Sequence, residues 1–267
     1  MNNYEKLEGM VAATFTPLDE NGDVNLSVID KYADWIASTP IKGIFVCGTT
    51  GEFSSLTIDE RKLILEKWLV SARKRFKVIA HVGSNCQRSA MELARHAAQV
   101  GADAIASIAP SFFKPGTVDE LVDFFAPICH SAAGLPFYYY NMPSITGVNL
   151  PVDKFLVEGK KKIPNLVGTK FTHNNLMEMG VCIELEQHRF EVLHGYDEIL
   201  ISGLAMGAVA GVGSTYNYIP NVYQAIFDSM KMNDLETARH NQIKSIRTVE
   251  VIIKYGGGVR DYEADRY

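Results

Sequence analysis

The sequence is poor in cysteine, and what it has is scattered. Cys47, Cys86, Cys129 and Cys182 stand far apart with no C-x-x-C pair. That pattern offers neither a disulfide framework nor a thiolate zinc site, and a reduced, cytoplasmic protein is the simplest expectation. The seven histidines show no H-E-x-x-H or similar ligand spacing, so no metal is expected. There is no G-x-S-x-G elbow and no P-loop, and nothing calls for an organic cofactor. No stretch approaches the roughly 18 apolar residues of a membrane helix. The polar start, Met1–Leu7, has no signal-peptide core. A net charge of −5 supplies no basic field for nucleic acid or anionic membrane.

What the chain does have is length and rhythm. Its 267 residues, 47% apolar and 21% charged, suit a soluble enzyme-sized core. Near-continuous apolar runs recur at Gly9–Pro17, Gly43–Gly48, Lys77–Gly83, Ala102–Pro110, Leu135–Asn141, Leu166–Thr172, Phe190–Asp197 and Gly207–Ser214. Such runs are the mark of parallel strands covered on both faces. Amphipathic helical stretches separate them; over Asp59–Arg75, Ile64, Leu65, Trp68, Leu69 and Ala72 share one stripe. The expected fold is α/β, a (β/α)₈ TIM barrel with a short C-terminal helical extension. A doubly wound open sheet is the alternative. It would usually carry a Gly-rich turn after the first strand, where this chain has Thr16-Pro17-Leu18-Asp19. No low-complexity linker interrupts the chain, so residues 1–267 are expected to form one domain. Its barrel spans about 9–231, and a C-terminal helix and tail span about 232–267.

In such barrels the chemistry sits where strands end. Strand 6 carries Lys170 in Leu-Val-Gly-Thr-Lys-Phe-Thr. A lysine in an apolar strand is either paired with a carboxylate or desolvated, and desolvation lowers its pKa and frees a nucleophilic amine. Position alone leaves both readings open. Strand 5 carries Tyr138, Tyr139 and Tyr140. Alternation puts Tyr138 and Tyr140 on one face, so one of them is a candidate proton shuttle, although aromatics also simply pack in strands. After strand 2, Gly48-Thr49-Thr50-Gly51-Glu52 is a tight turn rich in N–H and O–H donors. It suits a carboxylate or phosphate, or is an ordinary turn with a helix-capping threonine. Asp197 and Glu198 follow strand 7; they accept from sugar hydroxyls or merely face a helix dipole. The Gly211-x-Gly213 pair before Ser214 is a weak phosphate-loop signal.

Gly48-Thr-Thr-Gly-Glu52, Tyr140-Asn-Met-Pro-Ser-Ile-Thr-Gly147 and Lys170 stand at these relative positions over eight strands in order, from about Gly9 to Asn221. Together they resemble the dihydrodipicolinate synthase / N-acetylneuraminate lyase superfamily of class I aldolases. Within it the chain resembles the sialic acid-cleaving members. Dihydrodipicolinate synthases carry an arginine where this chain has Ile145, and usually a relay tyrosine where it has Ser111-Phe112-Phe113. Gly195-Tyr-Asp-Glu198, Gly213-Ser-Thr-Tyr-Asn217 and Ala109-Pro-Ser-Phe-Phe-Lys-Pro115 look like the sialic acid aldolase type. The resemblance implies reversible cleavage of N-acetylneuraminate to N-acetylmannosamine and pyruvate. Lys170 would form the Schiff base and Tyr140 move the proton. Thr49 and Thr50 would hold the carboxylate, and Thr172, Gly195, Asp197, Glu198 and Ser214 would bind the hydroxyl-rich tail. It also implies a homotetramer.

Two alternatives stay in view: an aldolase for 2-keto-3-deoxy sugar acids, and a homologue that binds without turnover. Family members continue with a fuller C-terminal helical segment, whereas here the resemblance fades after Lys254. The tail to Tyr267 reads as that of a short or truncated variant. That bears on stability and tetramer assembly more than on the site.

Overall fold

Each apolar run becomes a strand, and the helical stretches between them supply the crossovers. A computed structural model describes residues 4–132 and 134–255. The strands are β1 (Gly9–Ala13), β2 (Gly43–Val46), β3 (Lys77–His81), β4 (Ala104–Ile108), β5 (Phe137–Asn141), β6 (Leu166–Phe171), β7 (Glu191–His194) and β8 (Ala210–Gly213). All pair in parallel in chain order, and β8 returns to β1 through Gly9↔Ala210 and Val11↔Val212, which closes the barrel. The strands are shorter than the apolar runs because the chain leaves the ladder at each C-terminal end to build the loops of one mouth. The helices are α1 (Ile29–Ala37), α2 (Ile58–Ala72), α3 (Gln87–Val100), α4 (Val118–Ser131), the short α5 (Pro143–Thr146), α6 (Val152–Lys162), α7 (Leu176–Glu184), α8 (Leu200–Ala205), α9 (Pro220–Lys231) and α10 (Leu235–Lys254). Among the described residues no helix is long and apolar enough to cross a membrane. The Gly-rich, polar tail Tyr255–Tyr267 is expected from its sequence to be poorly ordered, and beyond Tyr255 it lies outside the described residues.

Burial on both strand faces explains the missing alternation in the sequence. One apolar layer lies between strands and helices and includes Trp68, Phe125, Phe137 and Tyr139. The other fills the barrel and includes Phe45, Ile79, Tyr138, Tyr140 and Leu193. On β5, therefore, Tyr138 and Tyr140 point inward and Tyr139 outward.

Strand β6 has an irregular register. Phe137 pairs with Leu166 but Tyr138 pairs with Gly168, so Val167 is an extra residue, a β-bulge. Beyond it, Gly168 and Lys170 face the interior while Thr169 and Phe171 face the helices. Gly168 has a steric reason to be glycine, since a Cβ there would collide with the backbone carbonyl of Glu191.

The N-terminal mouth is closed by polar pairing. Tyr138 donates to Glu191 Oε2 (3.0 Å), Leu7 N donates to the same oxygen (2.9 Å), and Tyr4 is hydrogen-bonded to Tyr138. At the other mouth, α10 lies against α9, α8 and the 3₁₀ turn Asp197–Ile199.

Candidate active site

The C-terminal mouth holds a cavity of about 530 Å³, within the range of small-molecule sites. Thr49, Thr50, Tyr140, Lys170, Thr172, Gly195, Asp197, Glu198 and Ser214 all line it. Residues from five strand ends are thus brought to one place.

Lys170 and Tyr140 are direct cross-strand partners in the β5–β6 register. Lys170 is 4% exposed. Its Nζ lies 3.9 Å from the centre of the Tyr140 ring and 4.3 Å from that of Phe45. Aromatic faces rather than a carboxylate surround the amine. The lysine ion pairs among the described residues belong to Lys62, Lys67, Lys77, Lys160, Lys161 and Lys162. Of the two readings the sequence leaves open, the ion-paired lysine is not the one seen. A buried amine without a carboxylate at the edge of a cavity is a site for chemistry rather than for stability.

The Tyr140 hydroxyl reaches Thr49 Oγ1 at 3.1 Å and donates to Met142 Sδ at 3.1 Å. The alternation that makes Tyr138 its equal in sequence is correct, but Tyr138 lies two residues deeper and is held by Glu191 and Tyr4. Thr49 and Thr50 sit in a turn closed by Glu52 N→Thr49 O (3.0 Å) and Phe53 N→Gly48 O (3.3 Å). Cys47 and Glu52 flank it in left-handed backbone, both at φ 53°, a strained conformation of the sort that gathers at binding sites. Neither threonine caps a helix. That role falls to Thr57, which forms a reciprocal capping box with Glu60 at the start of α2.

The opposite wall is acidic. Asp197 is buried, and its Oδ2 accepts from Thr215 N (2.9 Å) and Thr215 Oγ1 (2.6 Å). Burial pushes its carboxyl up, against the pull of the Thr215 bonds and the charge of Lys170. Burial, reinforced by the charge of Asp197, pushes the Glu198 carboxyl up to about 7. Gly213 lets Asp197 approach, since a Cβ there would overlap its carboxylate, and Gly211 is filled by the Tyr216 hydroxyl. Side-chain packing therefore accounts for the glycine pair of β8 that in sequence resembles a phosphate loop. The Thr172 hydroxyl lies under Gly195, where a Cβ would strike it, and has no hydrogen-bond partner among the described residues.

Several lining residues escape sequence reasoning. Phe15, Glu52, Met142, Thr215 and Tyr218 come from loops whose direction no periodicity reveals. Val249, Ile252 and Ile253 of α10 add an apolar flank. Their helical spacing marks them as buried but not as cavity-facing. His81, inward at the end of β3, sits edge-on to Tyr140 with ring centres 5.8 Å apart. Burial, with the nearby Arg61 charge, holds its imidazole well below the ordinary histidine range.

A closed parallel barrel with an unpaired lysine and a facing tyrosine at its C-terminal mouth defines a class I aldolase type of site. Residues 6–257 match the family described as dihydrodipicolinate synthetase, and the chain belongs to that family. The match continues past Asn221 and through α10, further than the motifs alone carry the resemblance. The chain is 42% identical to the N-acetylneuraminate lyase of Mus musculus over 263 residues, covering 97% of this chain and 82% of that one. It is 43% identical to the N-acetylneuraminate lyase of Gallus gallus over 267 residues, covering 99% and 87%. Its fold superposes on the N-acetylneuraminate lyase (sialic acid aldolase) structure from Aliivibrio salmonicida with a TM-score of 0.92 at 38% identity, covering 95% of this chain and 84% of that one.

Proposed function

We propose that this protein is a Schiff-base lyase that reversibly cleaves N-acetylneuraminate to N-acetylmannosamine and pyruvate. The observation that carries the reading is the paired placement of Lys170 and Tyr140 on one side of a cavity whose other side is Asp197 and Glu198. One side suits a 2-keto acid and the other a polyhydroxylated tail. The names of the relatives support the same substrate.

In this mechanism Thr49 and Thr50 hold the substrate carboxylate through the donors of their turn. Lys170 Nζ attacks C2 of the open-chain sugar acid, and loss of water leaves a protonated imine, the electron sink. The Tyr140 oxygen takes the proton of the C4 hydroxyl as its own proton passes through Thr49, its hydrogen-bond partner, to the substrate carboxylate held there, and the relay run in reverse returns a proton to C3. The C3–C4 bond breaks, N-acetylmannosamine leaves as the aldehyde, and the bonding pair forms an enamine. Protonation at C3 and hydrolysis of the imine release pyruvate and restore the lysine. Thr172, Gly195, Asp197, Glu198 and Ser214 bind the tail. A site built to hydrogen-bond hydroxyls discriminates strongly against analogues lacking them.

The reading extends to setting and assembly. The four cysteines are unpaired, which supports a reducing compartment, the cytoplasm. Phe112 and Phe113, stacked edge to face and 76% and 85% exposed, support burial against further copies of the chain in a homotetramer. One folding unit is the accompanying proposal for the domain organisation, and the β1–β8 closure supports it.

The test is incubation with pyruvate, borohydride reduction and mass-spectrometric mapping. The expected adduct is on Lys170, and its absence would remove the Schiff base. Turnover assays then separate substrates: cleavage of 2-keto-3-deoxy sugar acids but not of N-acetylneuraminate would favour the other aldolase reading. An adduct without turnover of either would favour a binding protein.

A further inference from the structure

The segment that carries Asp197 is held by a circuit of buried side chains from α9 and α10, one arm on its carboxylate and one on its backbone. Thr215 Oγ1 gives its hydroxyl proton to Asp197 Oδ2 (2.6 Å) and is hydrogen-bonded to the Tyr223 hydroxyl. A hydroxyl has one proton, so Tyr223 of α9 is the donor in that second bond. Ser245 of α10 lies beside Tyr223, where it counters the upward push of burial on the phenol. Ser245 Oγ accepts from Gln242 Nε2 (2.8 Å). The same Nε2 donates to Asp197 O (2.9 Å), and Gln242 Oε1 accepts from Ile201 N (2.9 Å), an otherwise orphan amide in the first turn of α8. Every member is buried: Gln242 is 4% exposed, and Ser245 and Tyr223 are fully enclosed.

Tyr223 donates to Thr215 and Thr215 to the carboxylate, while Gln242 donates both to Ser245 Oγ and to Asp197 O. The chain of bonds therefore fixes where Asp197 points, and the two bonds from Gln242 to the backbone hold the segment that also carries Glu198. None of these three side chains, Gln242, Ser245 or Tyr223, lines the cavity. Satisfied buried networks of this kind hold a single geometry, and a partly satisfied one is worse than none.

We infer that Gln242, seconded by Ser245, is a positioning residue for recognition of the substrate tail: α10 sets the geometry of the Asp197–Glu198 pair without touching substrate. The inference rests on the substrate reading above, in which that pair binds the sugar tail. It predicts that loss of Gln242 weakens binding of the whole sugar acid and leaves the pyruvate end intact.

The test uses the full chain as wild type, Gln242→Ala and Ser245→Ala. Steady-state cleavage of N-acetylneuraminate is measured beside borohydride trapping of pyruvate. For Gln242→Ala, KM rises about tenfold with kcat within about twofold, as expected when buried partners are left unpaired away from the reacting atoms. Pyruvate trapping equals wild type, and Ser245→Ala moves KM the same way by less. An unchanged KM in Gln242→Ala overturns the inference. So does a joint fall in kcat and pyruvate trapping, which would mark general loosening of the barrel. If Gln242→Ala does not fold, Ser245→Ala carries the same two outcomes. Should the wild type fail to cleave N-acetylneuraminate, the substrate reading falls instead, and the circuit is judged by carboxyl titration in ¹³C NMR. Gln242→Ala then shifts Glu198 down toward the ordinary carboxylate range as it moves away from Asp197, and an unmoved titration overturns the inference.

Discussion

The two mouths of the barrel each pair a β5 tyrosine with an ionisable side chain on another strand, to opposite ends. At the N-terminal mouth, Tyr138 meets Glu191, and both are further bonded by Tyr4 and Leu7. Burial pushes the Glu191 carboxyl up, and the cluster is closed and satisfied. At the C-terminal mouth, Tyr140 meets Lys170 across adjacent strands, and the amine faces a cavity with no carboxylate paired to it. Both tyrosines lie on one strand and one face. What separates packing from chemistry is whether the partners' bonding capacity is already filled.

That contrast breaks most sharply at Lys170. Lys170→Met is expected to abolish the pyruvate adduct and to lower kcat by more than about a thousandfold. Thermal unfolding should show no loss of stability, since an unpaired buried amine contributes none. A destabilised variant would mean the lysine has a structural role. Next in size, Tyr140→Phe is expected to lower kcat by about a hundredfold to ten-thousandfold while borohydride still traps pyruvate on Lys170. Equal losses in both assays would rule out a proton-moving phenol.

The mirror experiment belongs to the closed mouth. Tyr138→Phe removes a donor from buried Glu191 and should destabilise the fold by about 1–3 kcal/mol in urea melts, with kcat/KM unchanged. A kinetic effect of the size seen for Tyr140 would erase the distinction between the two ends.

The smallest effect is in pH. The Glu198 carboxyl is raised to about 7, so the folded protein holds a proton that the unfolded chain has released. Its contribution to stability is fully present below the ordinary carboxylate range and is lost as pH rises through about 7. Glu198→Gln should flatten that decline in melting temperature, and an identical pH profile would contradict it.

Much of this is legible in the sequence, for identifiable reasons. Strands covered on both faces leave long apolar runs, so all eight can be read in order. Lys170 stands out because charge is rare in such a run, and the threonine turn because two glycines bracket it. Depth along a strand is not legible: alternation makes Tyr138 and Tyr140 equivalent, and only Glu191 and Tyr4, brought in from distant positions, tell them apart. The α10 contribution is hidden for a similar reason. A stripe containing Gln242, Ser245 and Val249 marks a buried helix face, but nothing in it says that the face meets the segment after β7. The bulge in β6 is equally silent, because Val167 belongs as well in an apolar strand with it as without it.

That extra residue works as a parity bit. In an unbroken strand the inward positions are all even or all odd, and counting on from Leu166, which faces the helices, Lys170 would face them too. The insertion flips the count once, and everything after it is inverted. Flattening the bulge, so that Val167 took an ordinary place in the ladder, would then do more than regularise a strand. It would send the amine into the helix layer and bring Thr169 and Phe171 to the interior, turning the site inside out with every functional residue still present in the chain.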